Sequence, residues 1–324
     1  MSSEPRSQVV HLGLGPTAAA AYASLSGRFD VVALVRPGDD ELVRTAAAGG
    51  AEVTGETSLA AVRELVERLA PDAVVVSSYD RVLPAGLLTL CPFVNVHYSP
   101  LPRYRGRANV NWMMLAGEPE AWISVHTIVP GLDAGGVLFQ APTPIGACDT
   151  VGDVYRRLDD LQREHLADAV ARHLEGDPGV PQDESHATYG CTRLPEDGEI
   201  DWRASTATID RQVRALSAPF PGAYTYVGLQ VVWIDRATPV ADAPVYAGRV
   251  PGRVVRVDKQ NGCVDVLTGD GVLRLESLRV DGQCPVPATH VVSSVRATLG
   301  LRTIDLVRRI TQLEAELTEP RRAG

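Results

Sequence analysis

Phe93-Val94-Asn95-Val96-His97, ending abruptly in Tyr98-Ser99-Pro100-Leu101-Pro102, carries more architectural information than any other segment of this sequence. Its first five residues read as a buried strand, and the prolines must stop it, because proline has no amide to give a central ladder. Side chains two apart on a strand share a face, so Asn95 and His97 point the same way from its C-terminal end. Val9–Leu14, Val31–Val35, Ala73–Ser77 and Ile123–Ile128 are further short apolar runs, with helical stretches between most of them. That alternation predicts an α/β domain, a Rossmann-like, mainly parallel sheet with helices on both faces. Such sheets bind ligands at the C-terminal edge of their strands, which is where Asn95 and His97 stand.

Asp149 is placed to cap a long helix through Leu174, with Val151, Val154, Leu158, Leu161 and His165 on one stripe. Gly176 to Trp202, with Pro178, Pro181 and Pro195, reads as a linker, and the catalytic domain is expected to occupy residues 1–203. A helix at Thr206–Leu216 then precedes short strands at Leu229–Asp235, Gly252–Val257, Cys263–Leu267 and Val272–Val280, with turns at Asn261-Gly262 and Gly269-Asp270-Gly271. Short strands at this spacing predict a small OB-like β-barrel over residues 204–300. The remainder, 301–324, carries Leu301, Ile304, Ile310, Leu313 and Leu317 near helical spacing; it is expected to pack on its own chain, with a second subunit as the alternative.

The chain has 324 residues, 45% of them apolar, and a net charge of −9, a balance that disfavours a coat for nucleic acid or an anionic membrane. The start Met1–Gln8 is polar and no apolar run nears the ~20 residues that span a bilayer, so no signal peptide or membrane helix is expected and the cytoplasm is the expected compartment. Cys91, Cys148, Cys191, Cys263 and Cys284 lie far apart with no zinc-site spacing, and are expected to be reduced, non-catalytic thiols; no metal is expected.

At the sheet edge an amide and an imidazole do complementary work. The amide of Asn95 donates to a developing oxyanion, and the imidazole of His97 moves a proton near neutral pH. Val129-Pro130-Gly131-Leu132-Asp133-Ala134-Gly135-Gly136 follows as a Gly-rich loop whose single acid, Asp133, is suited to orient that imidazole. Each residue alone has an ordinary structural explanation. The ordered pattern Asn-x-His-x-Ser-x-Leu-Pro, then Arg-x-Arg-Gly-Arg at Arg103–Arg107, then Gly-Leu-Asp-x-Gly is far more specific.

This pattern resembles the N10-formyltetrahydrofolate-dependent formyltransferases, in the branch that holds methionyl-tRNA formyltransferase and the sugar N-formyltransferases. Tyr189–Trp202 (YGCTRLPEDGEIDW) and Arg214–Tyr226 (RALSAPFPGAYTY) resemble the linker and second-domain start of that branch, so the likeness runs from about Val9 to Leu301. It implies that Asn95 stabilises the transition state, His97 shuttles the proton and Asp133 tunes His97. It further implies that Val82, Leu83, Pro84, Arg107 and the loop Val129, Pro130, Gly131 and Leu132 contact the folate donor, N10-formyltetrahydrofolate.

The acceptor is a small-molecule amine by this reading, because the basic insertion by which relatives grip tRNA is replaced by Arg36-Pro37-Gly38-Asp39-Asp40. A nucleotide-linked amino sugar is the first expectation, with Ser99, Arg103 and Arg105 as candidate substrate contacts; ornithine or hydroxyornithine is the second. Methionyl-tRNA remains a further acceptor, and hydrolysis of the formyl group by a deformylase a further reaction. Leu12-Gly13-Leu14-Gly15-Pro16 also loosely suggests an NADP-dependent reductase with Arg36 on the extra phosphate, although Ala18 stands where a third glycine belongs. Relatives that modify sugars suggest a homodimer.

Overall fold

Apolar strands and amphipathic helices alternate through the first half of the chain: β1 (Gln8–Gly13), α1 (Ala18–Arg28), β2 (Asp30–Val35), α2 (Glu41–Ala48), β3 (Glu52–Thr54), α3 (Leu59–Leu69), β4 (Ala73–Ser77), α4 (Ala85–Leu88) and β5 (Phe93–His97). A two-residue strand β6 (Arg105–Gly106), α5 (Asn109–Ala116), β7 (Glu120–Thr127), β8 (Val137–Pro144), α6 (Val151–Leu174) and a second short strand β9 (Tyr189–Gly190) follow. The computed structural model describes residues 6–280 and 282–318. The polar start read at Met1–Gln8 therefore lies outside the described residues as far as Pro5, as do residues 319–324 of the C-terminal segment.

The main sheet has the order β3-β2-β1-β4-β5-β7-β8. Strands β3 to β5 pair in parallel, whereas β7 joins β5, and β8 joins β7, antiparallel. This is the mainly parallel α/β sheet expected from the alternation. The central strands are buried on both faces, so Val9, Val10, Leu12, Val74, Val75 and Val94 form near-continuous apolar runs. Chain order reverses between β1 and β4, which opens a crevice at their C-terminal ends.

Two helices are started by side chains whose chemistry the sequence shows: Asp40 accepts from the Val43 amide at the head of α2, and Ser58 from the Ala61 amide at the head of α3. In α6 the buried seam runs through Val154, Leu158, Gln162, Leu166 and Ala169. Leu161 and His165, expected on that seam, are half-buried at its edge. The displacement has a polar cause: the Tyr98 hydroxyl bonds both Gln162 and Asp159, which draws a glutamine inward where an apolar count looks for leucine.

The chain forms two compact units, one made by the chain up to Asp149 together with Asp153–Thr192, the other by Thr150–Gly152 and the chain from Arg193 on. The division thus precedes the expected boundary at 203/204. Its cause is local: the Ile200 amide bonds the Tyr224 carbonyl, and Trp202 Nε1 donates to Thr225 Oγ1 at 2.9 Å, so the end of the linker belongs to the second unit.

That unit holds α7 (Thr206–Leu216), β10 (Ala223–Val227), β11 (Gln230–Pro239), β12 (Val254–Asp258), β13 (Cys263–Leu267), β14 (Val272–Val280), β15 (Val286–Pro287), α8 (Ala288–Val291) and α9 (Thr303–Thr318). Its antiparallel sheet has the order β10-β11-β14-β13-β12, with β15 on β14. Strand β10 is missing from the sequence reading because Pro219 to Gly222 disguises its start; it pairs with β11 through a two-residue turn whose Gly228 takes a φ of +63°. Helix α9 departs from the expectation that it packs on its own chain: between Thr303 and Leu317 every residue is exposed except the half-buried Asp305.

Among the described residues no helix is long and apolar enough to cross a membrane. All five cysteines are free thiols.

Two buried imidazoles make the fold acid-sensitive. His11, in the centre of β1, has Nε2 2.8 Å from Ser77 Oγ, and burial, assisted by the Arg36 charge, pulls its pKa down to about 3. His126 on β7 is pulled down to about 4, again chiefly by burial. Each therefore stays neutral when folded and charges near 6.5 when unfolded, so the unfolded state binds more protons in between. Stability is full above about pH 6.5 and is lost by a few kcal/mol as pH falls toward 4. Urea midpoints measured along this range should decline, with a shallower slope in His11→Gln; an unchanged slope in that variant would rule out His11 as a source.

Candidate active site

Strand β5 presents Asn95 and His97 from one face, as the two-residue period requires. The antiparallel register sets His126 of β7 directly opposite Asn95. The two side chains meet: Asn95 Nδ2 lies 3.0 Å from His126 Nε2, and His126 Nδ1 lies 2.8 Å from the Thr127 carbonyl. The carbonyl fixes the tautomer, with the ring proton on Nδ1 and the lone pair on Nε2. Asn95 therefore donates one hydrogen to His126, and its carboxamide plane is held. Burial favours this neutral ring, against the opposing pull of the Asp133 charge.

His97 is buried, with Nε2 2.9 Å from the Tyr104 carbonyl and 2.9 Å from Asn109 Nδ2. A protonated Nε2 donates to the carbonyl, while the Asn109 amide turns to the Gly106 carbonyl at 3.2 Å. In that state the His97 lone pair is on Nδ1, which faces Asp133 Oδ2 at 3.7 Å.

Asp133 sits between two imidazoles, its Oδ1 3.8 Å from His126 Nε2. Neither distance is a hydrogen bond. The direct bond of its carboxylate runs to the Gly106 amide at 2.8 Å, so Asp133 is anchored by backbone with its charge close to both rings. Its own backbone is left-handed at φ +49°, a conformation aspartate tolerates better than most residues. The loop around it is pinned by Gln182, whose Nε2 donates to the carbonyls of Asp133 and Gly135, each at 2.7 Å. Gly135 has no freedom to vary, since an added Cβ would overlap the Thr127 carbonyl.

These groups open on a cavity of about 570 Å³, within the ~300–1,000 Å³ usual for small-ligand sites. Asn95, His97 and Asp133 line it together with Val82, Leu83, Arg107, Val129, Gly131 and Leu132. Pro84 and Pro130, expected beside them, are not on its wall.

The three residues expected to touch substrate are turned elsewhere. Ser99 is buried and donates to the Arg103 carbonyl at 3.0 Å. Arg103 pairs with Glu118 and lies over the Tyr104 ring. Arg105 is buried, bonding Glu184 at 2.6 and 2.7 Å and Gln182 at 2.8 Å. Its contact with Gln182 makes it a support for the Asp133 loop. The basic residues that do line the cavity are Arg81 and Arg107. Arg36, read as a contact for a dinucleotide phosphate, is bonded to the Gly13 and Gly15 carbonyls and to Asp40.

Residues 42–170 match the family described as formyl transferase, and residues 194–296 match the formyl transferase C-terminal domain. The chain belongs to the formyl transferase family. Solved structures that share the fold of this chain include HypX from Aquifex aeolicus in complex with tetrahydrofolic acid, at 20% identity and a TM-score of 0.64, covering 90% of this chain and 48% of that one. The chain thus spans about half the length of the HypX structures it matches. WlaRD, a sugar 3N-formyl transferase solved with dTDP and 5-N-formyl-THF, is 14% identical with a TM-score of 0.60 and coverage of 87% and 100%. A 4-N formyltransferase from Francisella tularensis is 15% identical with a TM-score of 0.56 and coverage of 67% and 91%.

Three side chains of this site escape the sequence reading: His126, Asn109 and Gln182. For His126 a signal exists, because Ser124 and His126 are polar residues two apart in an apolar strand, the same pattern that singled out Asn95 and His97. For Asn109 and Gln182 none does, since both reach the site from segments whose placement depends on the folded chain.

Proposed function

We propose that this chain transfers the formyl group of N10-formyltetrahydrofolate to the amine of a small molecule, with a nucleotide-linked amino sugar as the acceptor class. The observation that carries the reading is the convergence of Asn95, His97 and Asp133 on one cavity at the C-terminal edge of the sheet. Leu83, Val129 and Leu132 offer a flat heterocycle apolar walls there, and Arg81 and Arg107 offer cations to an anionic tail. The donor would supply a formyl carbon that bonds the amine nitrogen while its bond to the folate nitrogen breaks, and tetrahydrofolate would leave with the proton that His97 had taken from the amine.

In this reading Asn95, held by His126, keeps its second amide hydrogen for the formyl oxygen as that oxygen gains charge. His97 holds one proton at Nε2 on the Tyr104 carbonyl and takes the amine's proton at Nδ1. The Asp133 carboxylate, 3.7 Å away, supplies the countercharge. The ordered Gly-rich loop keeps that carboxylate in place throughout.

A small acceptor is supported by the turn after β2. It is short, α2 starts at Glu41, and Arg36 is already occupied by backbone carbonyls, so this segment has no basic grip for RNA. The sugar class is supported by the likeness to WlaRD, a sugar 3N-formyl transferase. For the second unit we propose an OB-like barrel. Bridges from Thr298 to Arg253 and from Leu299 to Val227 support it, since they run from the last segment of the unit to both edges of its sheet.

The test is release of tetrahydrofolate from N10-formyltetrahydrofolate in the presence of nucleotide amino sugars, of amino acids including hydroxyornithine, or of methionyl-tRNA. Release that depends on an amino sugar is the expected result. Release without any acceptor would make the chain a deformylase, and dependence on methionyl-tRNA alone would overturn the small-amine reading.

A further inference from the structure

Helix α9 is amphipathic, yet among the described residues its apolar side is left exposed. Leu306, Ile310, Leu313 and Leu317 are spaced four, three and four residues apart, the seam of a two-helix coiled coil, and all four are exposed. A helix of 16 residues with no packing is marginal in water, where helices of about 12–15 residues barely hold. The seam therefore calls for a partner.

The sequence of α9 specifies which partner. Reversal about the midpoint between Thr311 and Gln312 carries Ile310 onto Leu313 and Leu306 onto Leu317, so the seam is complementary to itself in an antiparallel pair. Charge follows the same symmetry: Arg302, Arg308 and Arg309 outnumber Asp305, which pairs with Arg302, in or before the first half, and Glu314 and Glu316 stand in the second. Antiparallel pairing sets each basic half beside an acidic half and aligns the helix dipoles favourably, whereas parallel pairing sets like halves together. We propose that α9 docks on the α9 of a second copy of this chain, antiparallel about a two-fold axis, in an isologous interface.

The full chain should sediment as a dimer, and the double variant Ile310→Asp/Leu313→Asp as a monomer that still unfolds cooperatively in urea, because both side chains are exposed in the single chain. A full chain that is monomeric up to about 300 μM, well above the concentration at which a micromolar pair assembles, would overturn the proposal. So would a double variant that remains dimeric. Orientation is read by mild oxidation followed by non-reducing electrophoresis. Leu306→Cys and Leu317→Cys should each add no covalent dimer beyond the unaltered protein, while their equimolar mixture should form one. A covalent dimer from Leu306→Cys alone would overturn the antiparallel arrangement.

Discussion

On the proposed function, His97→Ala should lower the turnover of formyl transfer by about 10²–10⁴-fold, the usual worth of a positioned general acid–base group. The attacking amine must lose a proton as the carbon–nitrogen bond forms, and His97 is the cavity residue whose free nitrogen faces a carboxylate, at 3.7 Å. His126 cannot substitute, because its lone pair accepts the Asn95 amide and burial pulls its pKa down to about 4. The loss should fall on kcat. The fold should survive, since the alanine removes one hydrogen bond to the Tyr104 carbonyl, a contribution of about 1 kcal/mol. Steady-state rates and a thermal melt of the variant check both halves. Turnover near that of the unaltered protein would remove His97 from the chemistry.

Asn95→Ala should lower kcat by about 10²–10³-fold with little change in KM, as expected for a donor engaged mainly when charge develops. Asn95→Asp is the sharper variant. It keeps the shape of the side chain, but its carboxylate has no hydrogen for His126 Nε2 and sets negative charge against the oxygen that is gaining it. Its loss should equal or exceed that of alanine. If the aspartate variant were the more active of the two, or if either raised KM alone, Asn95 would be a ground-state contact and the oxyanion role would fail.

The proposed roles also divide the site into groups that touch reactants and groups that hold them. All of them border the cavity, but Asn95, His97 and Asp133 are assigned to the reactants, while His126 holds the Asn95 amide and the Gly106 amide holds the Asp133 carboxylate. Arg105 and Gln182 stand one step further back, tied to each other and to the Asp133 loop.

Periodicity alone marked most strands of the first sheet and the face that Asn95 and His97 share, because burial on both faces imposes an apolar run and the prolines at Pro100 and Pro102 impose its end. The formyl transferase pattern was legible for the same reason: chemistry at a strand end needs particular residues at fixed local spacing. What the sequence could not show is pairing between distant segments. Only the β5–β7 register brings His126 to Asn95, and only the path of the chain near residue 182 brings Gln182 to Arg105, which is why that arginine, expected to meet substrate, is paired inside the protein while the exposed Arg103 pairs with Glu118. Local spacing is a property of the chain, but register and side-chain partnership are decided by long-range packing, which no one-dimensional period encodes.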